Sequence, residues 1–277
     1  MRGARPETAL VKLLVHEDAL PAGGTVVLAV SGGSDSVALA GLAVAAARQT
    51  ATQLWMVHVQ HQLRASASQD EAVAVAVATQ LGLPLRIVPL TPQRADEAHL
   101  RRLRYAALAQ VAVDVGATAV LTGHTAQDQT ETVLLALFRG TGPDGLCGMP
   151  ARRPFEATLE LVRPLLRVDR TQLQRYCERA ALPYVVDPSN LDERYTRNVV
   201  RRHLKELRGV FPGLDRAVAR CASLLREERH GDAHARARQA LRTALHAEGV
   251  REELTYARLD EAARRVRLRL PRKRPNT

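Results

Sequence analysis

Cysteine is scarce in this sequence, and Cys147, Cys177 and Cys221 stand apart with no CxxC spacing. Neither a disulfide framework nor a zinc site is suggested, and reduced thiols in a cytoplasmic protein are expected. No apolar run approaches the roughly 18 residues of a membrane span. The start, Met1 to Glu7, also lacks the apolar stretch of a signal peptide, so neither membrane insertion nor export is expected. Aromatic residues make up only 3% of the chain, which leaves Ala, Val and Leu to build the core and few rings to stack on bases.

What is present is an apolar fraction of 46%, enough for a real core, in a chain of 277 residues. That length is comfortable for two domains of the usual size. Negative charge runs short at one end only. Residues 201–277 carry 20 Lys and Arg against 10 Asp and Glu, whereas residues 1–200 carry 20 against 19. Such asymmetry suits a polyanionic partner held by an appendage, because neutralised phosphates release counterions. A GC-rich genome that favours Arg throughout is the other reading of the charge.

From Thr25 onward, short runs rich in Val, Ile and Leu alternate with Ala-rich stretches. Strands are expected at Thr25–Val30, Leu54–Gln60, Pro84–Leu90, Thr118–Thr122 and Pro183–Val186, with helices at about 35–48, 68–82, 95–115 and 126–138. This alternation marks an α/β domain with a doubly wound parallel sheet. Around 139–160 the glycines and prolines become frequent and irregular, which predicts a long loop. After Phe211-Pro212-Gly213, apolar residues return at helical intervals. The expected division is a catalytic domain over 1–206 and a small basic helical domain over 207–277, an appendage suited to a polyanion.

Residues 26–36 read Val-Val-Leu-Ala-Val-Ser-Gly-Gly-Ser-Asp-Ser, a strand running into a small-residue loop and then a helix. Gly32 and Gly33 let the backbone approach an anion, Ser31, Ser34 and Ser36 offer hydroxyls, and the helix start offers free N–H groups. The loop lacks the Lys of a GxxxxGK[ST] motif and the spacing of GxGxxG. SGGxDS resembles the pyrophosphate loop of ATP pyrophosphatases, which split ATP between its α and β phosphates to adenylate a substrate. Under that resemblance the loop grips the leaving pyrophosphate, and Asp35 is a natural Mg²⁺ ligand.

Seven further segments narrow the resemblance. Val57-His58-Val59-Gln60-His61-Gln62-Leu63-Arg64 sits at a strand's end, where ligands bind in open α/β sheets and where histidines also serve as turn residues. Glu97 to Tyr105 places Arg101 and Arg104 three apart on a helix, a pattern that also fits a solvated basic face. Gly123-His124-Thr125-Ala126-Gln127-Asp128-Gln129-Thr130-Glu131 puts Asp128 and Glu131 on one face at a helix start, where acids also favour the dipole. Arg139-Gly140-Thr141-Gly142 to Gly148-Met149, Arg163-Pro164-Leu165-Leu166, Asp187-Pro188-Ser189-Asn190 and Tyr195 to Arg201 follow in order. Collinear over about 26–201, these segments resemble the bacterial tRNA(Ile)-lysidine synthetases. Gln60 and Gln62 depart from that pattern, as does Gln127, which stands where an Asp is usual.

The resemblance implies an adenine nucleotide alpha hydrolase-like fold and ATP-dependent adenylation of the first anticodon cytidine of tRNA(Ile) with anticodon CAU. Attack by free lysine would then give lysidine, AMP and pyrophosphate. It gives Asp35, Arg104, His124, Asp128 and Glu131 to catalysis. Ser31, Gly32, Gly33, Ser34, Asp35, Ser36, His58 and Arg139 fall to ATP, and Arg101, Arg197, Asn198 and Arg201 to substrate. ATP and Mg²⁺ are the implied cofactors, with Asp35 as the metal ligand. Some members carry a further C-terminal domain, for which this chain ends too early. A tRNA thiolase of the same superfamily, a non-catalytic tRNA-binding protein and a small-molecule adenylating ligase are the rivals. The sequence leaves the oligomeric state open, a dimer included.

Overall fold

A computed structural model describes residues 6–16, 19–61, 67–91, 96–156, 158–186 and 196–229, together with positions 240 and 243. Six strands form one sheet, β1 (Thr25–Ala29), β2 (Gln53–His61), β3 (Leu85–Leu90), β4 (Ala119–Thr122), β5 (Arg152–Glu156) and β6 (Leu159–Val162). Their spatial order is β3-β2-β1-β4-β6-β5. All neighbours pair in parallel except β5 and β6, which form an antiparallel edge.

The side chains of the central strands alternate between two apolar layers. Val26 and Leu28 of β1, Leu54 and Met56 of β2 and Leu121 of β4 face one layer, with α1 (Pro6–His16), α2 (Ser34–Thr50), α3 (Ala67–Leu81) and α7 (Arg170–Arg179) supplying the cover. Val27, Val57, Val120 and Leu161 face the other, against Leu108, Val111 and Ala112 of α4 (Glu97–Asp114). Helices on both faces make the sheet doubly wound, as the alternation of strands and Ala-rich stretches predicts. Each fully buried Leu or Val contributes about 1.5–3 kcal/mol relative to exposure, so the aliphatic layers replace a large aromatic core.

Two expectations need correction. The segment 139–160 is not wholly a loop, since it holds the short helix α6 (Pro143–Leu146) and most of the β5–β6 hairpin. The sequence Arg-Arg-Pro-Phe-Glu hides β5, because Pro and charges are tolerated only at an edge where one side of the strand needs no ladder. Pro183–Val186 is no strand of the sheet. It makes a single parallel bridge from Val185 to Gly33, with the Val185 N–H donating to the Gly32 carbonyl at 3.0 Å.

Beyond the hairpin lie α5 (Ala126–Phe138), α8 (Thr196–Val210) and α9 (Leu214–Arg229). The boundary expected at 206/207 falls inside α8, and α9 packs along α5. The buried Asp215 at the start of α9 accepts both forks of Arg208 at 2.7 and 2.9 Å, which fixes the turn between α8 and α9. No helix among the described residues is long and apolar enough to cross a membrane.

Candidate active site

The strand order reverses between β1 and β4, and in open α/β sheets the crevice beyond the carboxyl ends at that point is where ligands bind. Two loops meet there, Ser31–Ser36 after β1 and Gly123-His124-Thr125 after β4. Their approach is so close that a Cβ on Gly123 would lie 2.9 Å from the carbonyl carbon and oxygen of Asp35 and from the amide nitrogen of Ser36.

Serine hydroxyls and one left-handed glycine shape the phosphate loop. Gly32 has φ +90, a conformation that side chains with a Cβ rarely adopt. Ser36 Oγ donates to the Gly33 carbonyl at 2.9 Å and accepts the Ser31 N–H at 3.1 Å, so the Ser31 hydroxyl is the donor in their 3.1 Å side-chain contact. Ser36 is buried and braces the loop, whereas Ser31 is exposed to the crevice. Gly33 caps α2 with no side-chain hydrogen bond, which leaves the first N–H groups of that helix for an anion. From below, the buried Cys177 thiol of α7 donates to the Ser34 carbonyl at 3.4 Å.

At the β4 side, Thr125 caps α5 in a capping box with Asp128. One Asp128 oxygen accepts the Thr125 N–H and hydroxyl, both at 2.9 Å. The same carboxylate is part of an ionic cluster that spans the crevice. Arg170, at the start of α7, donates through Nε to Asp35 at 2.7 Å and lies 3.4 Å from Asp128. Arg197, in the first turn of α8, bridges Asp128 at 3.1 Å and Glu131 at 2.7 Å. Arg201, one turn later, grips the fully buried Glu131 at 2.8 and 3.0 Å.

These pairings set the acidities. Burial by itself would raise the Asp128 carboxyl, but Arg170, Arg197 and the hydrogen bond from Thr125 hold it below the ordinary aspartate value. Asp35 goes the other way, because burial outweighs its single strong partner, Arg170. His124 is pushed down to about 4, chiefly by burial, so its imidazole is neutral at pH 7, with Nδ1 2.8 Å from the Thr122 hydroxyl. His58 is buried beside the loop. Its Nδ1 faces the Val30 carbonyl at 2.9 Å and so carries a proton toward it, while Nε2 has no partner among the described residues.

The structure therefore gathers Asp35, His124, Asp128, Glu131, Arg197 and Arg201 around one crevice, with Ser31, Gly32, Gly33, Ser34 and Ser36 at its floor. Asn198 lies in the same first turn of α8. Arg101 and Arg104 are exposed on α4, one turn apart. Arg139 is not brought to the loop, since it is exposed at the far end of α5, about three turns from Asp128. The glycine-rich stretch beside it is tied to its neighbours, with Gln129 paired both ways to the Met149 backbone at 2.9 and 2.8 Å and Arg226 donating to the carbonyls of Cys147 and Gly148. Asp187 to Tyr195 and the side chain of His61 lie outside the described residues.

Sequence reasoning missed Arg170. The signal available was Asp169-Arg170-Thr171-Gln172, a helix start with its own capping box, which points to a helix but not to its target. Gln127, which stands where an Asp is usual, has a visible task, as its Oε1 accepts the Arg170 backbone N–H at 3.0 Å and seats that arginine.

Comparison with known proteins agrees with this layout. Residues 7–207 match the family pattern of the PP-loop domain. The chain is 42% identical over 220 residues to a tRNA(Ile)-lysidine synthase of Salinispora tropica, covering 78% of this chain and 64% of that protein. It is 42% identical over 210 residues to that of Ralstonia nicotianae, covering 73% and 45%. With that of Salinispora arenicola it shares 38% over 237 residues, covering 81% and 70%. The chain thus spans less than two thirds of the length of the first two relatives. Among solved structures, the U34-tRNA thiolase NcsA from Methanococcus maripaludis with its [4Fe-4S] cluster superposes with a TM-score of 0.66 at 19% identity, over 80% of this chain and 78% of that one, a likeness of fold. The phosphate loop at the sheet's switch point, the match over residues 7–207 and these relatives together show that the chain belongs to the PP-loop family, among the tRNA(Ile)-lysidine synthases.

Proposed function

We propose that this chain makes lysidine, using ATP to adenylate the first anticodon cytidine of tRNA(Ile) with anticodon CAU and then admitting free lysine. The observation that carries the reading is the cluster joining Asp35 of the phosphate loop to Asp128 and Glu131 of α5 through Arg170, Arg197 and Arg201. One crevice then serves both half-reactions, with phosphates on the β1 side and an amine on the α5 side.

In the first half, the cytosine oxygen on carbon 2 attacks the α phosphorus of ATP, and pyrophosphate leaves into the bare N–H groups of Gly33 to Ser36. In the second, the lysine ε-ammonium gives up a proton to solvent, the free amine attacks carbon 2, and AMP departs with the oxygen as the carbon–oxygen bond breaks. Held below the ordinary range, Asp128 is a weak base, better suited to docking the lysine ammonium than to taking its proton. Arg197 and Arg201 must then share Glu131 and Asp128 with that ammonium.

ATP and Mg²⁺ are part of this reading. Among the described residues no three His, Cys, Asp or Glu side chains gather into a metal cage. Asp35 at the mouth of the loop is a donor set of the kind Mg²⁺ accepts, one carboxylate completed by phosphate oxygens and water. Ser31, Gly32, Gly33, Ser34, Ser36 and His58 border the proposed nucleotide site. Residues 207–277 are the proposed tRNA-binding appendage, and their charge calls for an affinity that falls steeply with salt.

Mass analysis of tRNA nucleosides after incubation with ATP and isotopically labelled lysine tests the reading. A nucleoside carrying the lysine label supports it. A sulfur-bearing nucleoside, or ATP turnover that ignores RNA, would overturn it.

A further inference from the structure

A second set of cations lies one strand further along the sheet. Arg163 directly follows β6, the neighbour of β4, so it stands about 5 Å in strand spacing from the His124 loop, on the side away from the phosphate loop. It is 3% exposed, and among the described residues no carboxylate pairs with it. Its guanidinium donates to the Pro150 carbonyl at 2.9 Å and has Tyr105, Arg153 and Arg101 as electrostatic neighbours, while its buried Nε–H has no partner among the described residues. A buried guanidinium held only by neutral groups is costly, and the cost is offset when an anion arrives.

Two more arginines face the same tyrosine. Arg101 stacks 5.0 Å from the Tyr105 ring centre and donates to its hydroxyl at 3.2 Å, and Arg153 of β5 lies 5.7 Å from Tyr105 and 5.5 Å from Phe155. The two rings meet edge to face at 5.5 Å. Neither arginine has a carboxylate partner among the described residues. With the Arg101 guanidinium donating to the Tyr105 oxygen, the tyrosine O–H is left to donate outward. The cluster therefore offers donors and rings and supplies no acceptor.

We propose that Arg101, Arg153, Arg163 and Tyr105 form a subsite for a backbone phosphodiester of the RNA substrate, next to the nucleotide that is modified. Three positive charges overmatch the single charge of a lone amino-acid carboxylate unless further phosphates of a polymer pass nearby. Arginines stacked on rings also leave a flat flank for an unpaired base. The subsite rests on the RNA-modifying reading above and adds to it where the strand enters.

The test is fluorescence anisotropy of a labelled anticodon stem-loop carrying CAU, titrated with the full chain across a salt series, with ATP affinity and the lysine KM measured separately. Arg153→Gln, on a half-exposed edge strand, and Arg163→Gln should each weaken RNA binding on the order of fivefold to tenfold and lower the salt slope by about 0.7 to 1. ATP affinity should stay as in the wild type. If Arg163→Gln fails to fold, Arg153→Gln carries the test. Wild-type binding with unchanged variants would overturn the subsite and leave the proposed function standing, whereas a wild-type chain that binds no RNA would overturn both. A loss confined to ATP affinity or to the lysine KM would assign the cluster to a different anion and overturn it as well.

Discussion

Arg170 and Asp35, 135 positions apart in the chain, meet at 2.7 Å across the mouth of the phosphate loop. The contact joins the start of α7 to the start of α2, and the other arm of the guanidinium lies 3.4 Å from Asp128. One planar fork thus holds two carboxylates that would otherwise repel each other. Arg170→Ala should lower ATP–pyrophosphate exchange by at least about tenfold, with stability reduced by roughly 1–3 kcal/mol for the lost charged hydrogen bonds. Arg170→Lys should recover the stability better than the exchange, because a point charge does not reproduce a fork. Exchange at the wild-type rate in the alanine variant would sink the idea.

Gly123 meets the loop from the opposite side. Its absent Cβ leaves room for the Asp35–Ser36 peptide, which would otherwise be 2.9 Å away. Backbone cannot swing aside as a flexible side chain can, so Gly123→Ala should displace the first turn of α2 by some tenths of an ångström. The expected outcome is a rise in the ATP KM of about tenfold or more, since small misplacements at a reacting centre are costly. Unfolding by denaturant should shift far less. An unchanged KM would mean that the loop yields without consequence.

Contiguous features of the site were legible in the sequence, and features assembled from a distance were not. The run Val26 to Ser36 displays strand, loop and helix in one stretch, and the three-residue spacing of Asp128 and Glu131 is enough to place both on one helical face. Arg197 and Arg201, four apart, show a shared face, but only the fold reveals Glu131 as their common partner. Arg170 and Arg163 carry no local mark of their targets, because what selects them is the order of strands. The β5–β6 edge was hidden by Pro154 and its charged neighbours, while Val185 looked like a strand because a segment that clamps a loop needs the same β-branched residues as one that joins a sheet.

Glu131 is fully buried and its charge is balanced by Arg197 and Arg201, themselves about a quarter exposed, at 26% and 24%. Removing one partner of a buried pair costs about 3–5 kcal/mol, and because Arg197 still holds Glu131 at 2.7 Å the loss of Arg201 falls at the lower end. Arg201→Ala should accordingly lower Tm by at least about 6 °C for a protein of this size, on a scale of roughly 2–4 °C per kcal/mol. Glu131→Leu in the Arg201→Ala background should recover part of that loss, because it removes the buried charge that Arg201 had helped to balance. A double variant no more stable than Arg201→Ala, measured by thermal and denaturant unfolding, would show that packing rather than charge sets the cost.

His124 gives the site a pH dependence that can be isolated. Its folded value of about 4 lies below the ordinary 6.5, so between those limits the unfolded chain binds more protons than the folded one. Stability therefore rises with pH across that window, is fully gained above about 6.5, and is absent below about 4, with a ceiling of roughly 3 kcal/mol. Asp35 acts in the opposite sense, since its raised value makes the folded chain the better proton binder just above 3.8. Asp128, held low, adds stability that is lost only as pH falls below 3.8. Because these carboxylates overlap the lower part of the window, the informative quantity is the difference between wild type and His124→Asn, whose amide can still meet the Thr122 hydroxyl. Denaturant midpoints of the two proteins should converge as pH falls from 6.5 toward 4, with the wild type losing more. Parallel curves over that range would show that the imidazole is already as easily protonated in the folded chain as in the unfolded one.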